Sequence, residues 1–230
     1  FGSRRACEAL IRDGLVRVNG EIVTRLALII ETDRDSVTVN DSPVEQSGKR
    51  VLLALNKPEG VLSTVSDGFG RRTVLDLARE HGYVQRLFPV GRLDMNTSGI
   101  LLLTNDGELA HRLMHPRYKV EKRYVALVAG TVDDATAERI SAGVDLGGFV
   151  TQPCTVAVIR YEDSGSVVEI RLREGRKRQI RRMFAALGHE VIRLTRVALG
   201  DVEFPDLEPG KLRMLTADEE QRIRRMAGLQ

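Results

Sequence analysis

Apolar and polar positions alternate along this chain in short runs, separated by turns rich in Gly, Asn, Asp and Pro. Ser3 precedes Arg4-Arg5-Ala6-Cys7-Glu8-Ala9-Leu10-Ile11, an N-cap and an amphipathic helix that Gly14 can end. Val16-Arg17-Val18-Asn19-Gly20-Glu21-Ile22-Val23 alternates about Asn19-Gly20, which predicts a hairpin on a type I′ turn. Ser36-Val37-Thr38-Val39 predicts a further strand before the turn Asn40-Asp41, and the polar stretch Glu45-Gln46-Ser47-Gly48-Lys49 reads as a linker. Val51-Leu52-Leu53-Ala54-Leu55 is a buried strand running into the turn Asn56-Lys57-Pro58. Helices are predicted over 73–80, 108–114, 133–142, 178–187 and from Ala217 onward. Strands are predicted over 100–104, 122–129, 154–160, 167–172, 190–194, 198–202 and 212–215. Many strands, few short helices and several hairpin-length links indicate an α+β fold, a mixed, largely antiparallel sheet with helices on its face. No glycine-rich phosphate loop joins a strand to a helix, which argues against a doubly wound nucleotide-binding fold.

Composition narrows the class. At 230 residues the chain can bury a large core, and 42% hydrophobic with 29% charged residues is ordinary for a globular protein. Aromatic residues make up 4% and Trp is absent, so the core must be Val, Leu, Ile and Ala. The net charge of +3 says little, but its distribution says more. Between Arg171 and Arg196 stand nine Arg and Lys residues against Glu174 and Glu190, a focused patch of the kind that binds polyanions. Arg dominates it, which favours planar, bidentate phosphate contacts. Cys7 and Cys154 are far apart and read as free thiols. His81, His111, His115 and His189 show no metal-ligand spacing, and no cofactor is expected. No apolar run approaches the roughly 20 residues that span a bilayer, and no signal peptide is read at the start, so a cytoplasmic protein is expected.

Three stretches could carry chemistry. The first is Gly91-Arg92-Leu93-Asp94-Met95-Asn96-Thr97-Ser98-Gly99, running into Ile100-Leu101-Leu102-Leu103-Thr104-Asn105-Asp106-Gly107. It sets one carboxylate in a polar loop directly before an apolar strand; by itself an Asp there is a turn or cap residue. The second is Glu121-Lys122-Arg123-Tyr124-Val125, whose aromatic, taken alone, is core. The third is Glu174-Gly175-Arg176-Lys177-Arg178-Gln179-Ile180-Arg181-Arg182-Met183-Phe184, a basic amphipathic helix with Gly188-His189 shortly after.

Together these stretches resemble the signature motifs of the pseudouridine synthases that modify ribosomal RNA. The Asp94 loop matches over all nine positions and on through Gly107. The opening Leu55-Asn56-Lys57-Pro58-Glu59-Gly60 fits the same branch. The Ser-Arg-Arg helix and Gly14-Leu15-Val16-Arg17-Val18-Asn19-Gly20 resemble the C-terminal part of an S4 RNA-binding domain. The resemblance implies a partial S4-like module over 1–46 and the pseudouridine synthase catalytic fold over 47–230. It implies Asp94 as the essential carboxylate, Tyr124 stacked on the target base, Arg181 paired with the carboxylate and Ile180 packed on the base. Arg92, Thr97, Ser98, Lys122 and Gln179 would contact the substrate; Arg4, Arg5, Lys57, Arg176, Lys177, Arg178 and Arg182 would hold RNA. The implied activity is isomerisation of one uridine in ribosomal RNA, the large subunit being favoured, by base flipping and without metal or cofactor. The partner would be ribosomal RNA or a ribosomal subunit precursor, and the enzyme a monomer.

Two rivals remain at this point. A non-catalytic RNA-binding ribosome assembly factor would use the same basic surfaces. A hydrolase built on Asp94 and Asp106 would need two acids that a strand of about five residues holds some 15 Å apart.

Overall fold

Two units, Phe1–Lys49 and Arg50–Gln230, make up the computed structural model, which describes residues 1–31, 34–44 and 48–229. In the first, Ser3 caps α1 (Arg4–Arg12) by accepting from the Ala6 N–H. Strands β1 (Val16–Val18), β2 (Glu21–Ile22), β3 (Val37–Val39) and β4 (Ser42–Pro43) follow, in the antiparallel order β2-β1-β3-β4. Asn19 (φ 52°) and Gly20 (φ 86°) form the expected type I′ turn, and Asn40 (49°) with Asp41 (61°) form a second. Asn19 is locked by donating to Asp35 and accepting from the Ser36 N–H. Glu45, Gln46 and Ser47 of the predicted linker lie outside the described residues.

The second unit holds β5 (Leu52–Lys57), α2 (Val74–Glu80), β6 (Phe88–Pro89), β7 (Ser98–Thr104), α3 (Gly107–Met114) and β8 (Lys122–Val128). Then come α4 (Asp134–Ala142), β9 (Thr155–Glu162), β10 (Gly165–Leu172), α5 (Gln179–Ala185), β11 (Val191–Leu199), β12 (Val202–Glu203), β13 (Leu212–Met214) and α6 (Ala217–Met226). The sheet runs β13-β5-β7-β11-β8-β10-β9, with β12 beside β11 and β6 beside β7. Every pairing is antiparallel except β7 with β11. That mixed, largely antiparallel sheet with helices is the fold the sequence predicts.

The continuous apolar runs of β5 and β7 follow from burial on both faces. Leu53, Leu55, Leu101 and Leu103 face one core, shared with α2, α4 and α5; Leu52, Ala54, Ile100 and Leu102 face another, shared with α3 and α6. Side-chain caps fix the helix starts: Thr73 and Asp76 form a capping box on α2, and Thr216 and Glu219 form one on α6.

One parallel seam joins the two halves of the sheet. It has only two register pairs, Thr195 with Ser98 and Arg196 with Gly99. The backbones approach so closely there that a Cβ on Gly99, whose φ is +106°, would lie 2.1 Å from the Arg196 carbonyl oxygen. The two strands predicted over 190–194 and 198–202 are in fact one strand, β11, and a short return. Irregularities between Val191 and Arg193 and between Arg196 and Ala198 shift its alternation, which disguised its continuity. No described helix is long and apolar enough to cross a membrane.

Candidate active site

The Thr97 N–H donates to the Asp94 carbonyl at 3.0 Å, closing a four-residue turn just ahead of β7. Buried groups brace this turn from beneath. Ser63 Oγ donates to the Leu93 carbonyl at 2.9 Å and accepts from the Leu93 N–H at 3.1 Å. The Gly60 N–H donates to the Met95 carbonyl at 2.8 Å. Lys57, at the end of β5, has no exposed surface, and its ammonium donates to the carbonyls of Pro58 (2.8 Å), Val61 (2.9 Å) and, more weakly, Met95 (3.5 Å). Burial pulls its pKa down to about 8, against the opposing charges of Glu59 and Asp94. From α5, Arg181 donates through Nη2 to the Asn96 carbonyl at 2.7 Å and through Nη1 to the Val191 carbonyl.

Above the turn opens a cavity of about 420 Å³. Arg92, Leu93, Asp94 and Thr97 line it from the turn, Tyr124 from β8, Leu172 from the end of β10 and Leu194 from β11. The segment from Gly175 to Ile180, where the chain enters α5, closes the remaining side. Asp94 is the one acid among the described lining residues, while Arg92, Arg176, Lys177 and Arg178 supply four cations. Tyr124 is 9% exposed, so its ring is a fixed wall. Thr97 Oγ1 is buried in the same lining without a hydrogen-bond partner. Such an orphan group costs free energy unless something completes it.

Of the residues expected to act, Asp94, Tyr124, Ile180, Arg92, Thr97, Gln179, Arg176, Lys177 and Arg178 therefore meet around one space. Several expected contacts are different. Arg181 forms no ion pair with Asp94: its guanidinium is engaged by two backbone carbonyls, one of them in the Asp94 turn. Lys57 cannot touch RNA, because it is fully buried and holds the turn from inside. Ser98 donates to the Leu194 carbonyl and shares a 2.9 Å hydrogen bond with Thr195 Oγ1 at the seam, outside the cavity lining. Lys122 also lies outside the lining and donates to the Val120 carbonyl; burial, then the charge of Arg196, lowers its pKa to about 8. Gln179 lines the cavity with its amide already used, accepting from the Arg176 N–H and donating to Glu174. Arg182 donates to the Leu146 carbonyl. Arg4 and Arg5 are exposed on α1 in the first unit, where Arg4 is paired with Glu8.

Leu93, Leu172 and Leu194, the apolar walls, and Asn96, the acceptor for Arg178 and Arg181, were not expected. Their only sequence signal is nearness to polar site residues. Asp106 lies beyond the far end of β7, where it caps α3 and pairs with Arg224 (3.2 Å) and Arg50 (3.7 Å), so it is no partner for Asp94. Among the described residues no group of His, Cys, Asp and Glu could hold a metal ion. Both cysteines are free, and burial pushes the Cys154 thiol up to about 11.

Comparison with known proteins gives the same outline. The family model for RNA pseudouridylate synthase matches residues 51–186, and that for the S4 domain matches residues 1–34. Ribosomal large subunit pseudouridine synthase B of Bacillus subtilis (strain 168) is 41% identical over 227 residues, covering 98% of this chain and 91% of its own length. An uncharacterized RNA pseudouridine synthase of Aquifex aeolicus (strain VF5) is 42% identical over 228 residues, or 99% and 90% of the two chains. A crystal structure of a pseudouridylate synthase superposes with a TM-score of 0.70 at 31% identity, over 96% of this chain and 94% of that one.

Proposed function

This chain belongs to the RNA pseudouridylate synthase family, and from that premise we propose that it converts one specific uridine of large-subunit ribosomal RNA into pseudouridine, with Asp94 as the reacting carboxylate. The target nucleotide must leave its stack, at a cost of a few kcal/mol. Stacking on the Tyr124 ring returns about 1–3 kcal/mol. Ile180 and Leu194 offer apolar contact in the same cavity, and the four cations around it suit the flanking phosphates.

In the reaction the bond from N1 to C1′ breaks, the uracil turns, and C5 bonds to C1′. C5 then loses its proton and N1 gains one, so the product has the composition of the substrate. No oxidant, reductant or group donor enters that balance. Both roles open to Asp94, attack on C1′ and removal of a ribose proton, act at the sugar, so the carboxylate must face the ribose while Tyr124 faces the base.

What carries the proposal is the meeting of a single carboxylate, an aromatic ring and several cations around one cavity. The 41% identity to a large-subunit enzyme supports that substrate. The proposed working form is a monomer, and the proposed place of action is the cytoplasm, on ribosomal RNA or a subunit precursor.

The test is a site-resolved pseudouridine map of ribosomal RNA incubated with wild type and with Asp94→Asn. The variant is expected to bind RNA and form no product. Isomerisation by the variant would remove Asp94 from the reaction. A wild type that binds RNA but modifies none would favour the assembly-factor reading.

A further inference from the structure

Phe149 sits at the tip of a hairpin spanning 144–151 that the reaction does not use. The hairpin is stiff at its base. Asp145 bridges Val150, the Thr151 N–H donates to the Val144 carbonyl, and Thr151 Oγ1 accepts from the Val144 N–H. Its tip turns through Gly147 and Gly148, both at positive φ, and closes with the Leu146 N–H on the Phe149 carbonyl. There the Phe149 ring meets two guanidiniums: Arg176 at 4.1 Å from the ring centroid and Arg182 at 5.4 Å. Arg182 also donates to the Leu146 carbonyl, and Glu174 accepts from the Gln152 N–H, so hairpin and cationic segment are tied at several points.

Of the two stacked arginines, Arg176 lines the catalytic cavity. A free Arg side chain loses about 2 kcal/mol of rotamer entropy when it is immobilised on a phosphate. A guanidinium held over an aromatic face has surrendered part of that freedom beforehand; Glu174 pairs with Arg176 Nε at 3.7 Å, and the two Nη groups, without a hydrogen bond among the described residues, stay available to an anion. We propose that Phe149 is a positioning residue: it holds Arg176 at the cavity rim, ready for an RNA phosphate beside the flipped nucleotide. The inference rests on the RNA-modifying reading above and adds a substrate-gripping part to the hairpin.

The test compares apparent KM and kcat for unmodified large-subunit ribosomal RNA in wild type, Phe149→Ala, Phe149→Leu and Phe149→Tyr. Cation–π contacts at exposed sites correspond to about a two- to fivefold change. Phe149→Ala and Phe149→Leu are expected to raise KM by that factor with kcat unchanged, the mark of weakened uniform binding. Phe149→Tyr keeps the ring and should restore wild-type KM. Phe149→Leu keeps apolar bulk, so it separates the ring face from packing if the Ala variant unfolds. In an Arg176→Ala background, Phe149→Leu should have no further effect. Wild-type KM in Phe149→Leu, a loss confined to kcat, or an undiminished effect without Arg176 would each overturn the proposal. A wild type that forms no pseudouridine would instead overturn the functional reading beneath it.

Discussion

Replacing Gly99 with Ala tests the sheet seam that carries the Asp94 turn. Two costs add. An L-residue forced to positive φ, here +106°, costs about 1–3 kcal/mol. The new Cβ would stand 2.1 Å from the Arg196 oxygen, whereas ordinary contact begins near 3.4 Å, so the strands must part by roughly 1.3 Å. Only two register pairs join β7 to β11, so that displacement breaks the seam rather than stretching it. Breaking its hydrogen bonds costs about 0.5–1.5 kcal/mol for each bond. The sum is on the order of 4 kcal/mol, which lowers Tm by roughly 8–16 °C for a domain of this size. Calorimetry of the full chain reads the shift directly, and Gly91→Ala is the control. Gly91 also has positive φ (+78°) but nothing within 4 Å of its added Cβ, so its cost is conformational alone, about 1–2 kcal/mol. Pseudouridine formation at 25 °C should fall in Gly99→Ala even where the protein is folded, because Thr97 and Asp94 hang from the displaced strand end. A Gly99→Ala protein that melts within 2 °C of wild type, or no lower than Gly91→Ala, would refute the reasoning.

Lys57→Met should change how stability responds to alkali. Burial lowers the Lys57 pKa from 10.5 to about 8, so the unfolded chain holds more protons between those values and stability rises as pH climbs through them, by up to about 3 kcal/mol. Urea titrations at pH 7, 9 and 10.5 should show a shallower rise in Lys57→Met; identical slopes would contradict the assignment, and kcat should drop once the Met95 brace is gone. Arg92 and Lys177 line the cavity without an intramolecular partner among the described residues. Changing both to Ala should flatten the log–log salt dependence of RNA binding by roughly 0.7–0.9 for each phosphate that is no longer neutralised, and an unchanged slope would place the RNA on another face.

Much of this arrangement was legible because local physics decides it. Asn19-Gly20 and Asn40-Asp41 announce their turns through tolerance of positive φ, and Ser3 announces its helix through capping. Asp94, Tyr124 and Ile180 could be singled out by motif, and they do share a cavity. Side-chain direction was less legible. Lys57 looks like a surface cation, yet the carbonyls at the end of β5 form a pocket that satisfies its ammonium. Arg181 was expected on a carboxylate and found backbone carbonyls instead. Ser98 and Thr97 are neighbours in sequence, but the start of a strand sends one to the seam and the other to the cavity. The parallel pairing of β7 with β11, and the meeting of Phe149 with Arg176, depend on segments far apart in sequence, where periodicity carries no information.

Spatial order and chain order part company at β11. β7 and β8 both leave the ribosome before it, yet it lies between them, with Ser98 paired to a residue 97 positions later. Until it threads into that gap, Leu194 is missing from the cavity and Arg181 has no Val191 carbonyl to lean on. Such distant pairings form slowly. A nascent chain is therefore expected to stay catalytically silent until β11 has emerged, gaining reactivity toward RNA only when the central strand locks home.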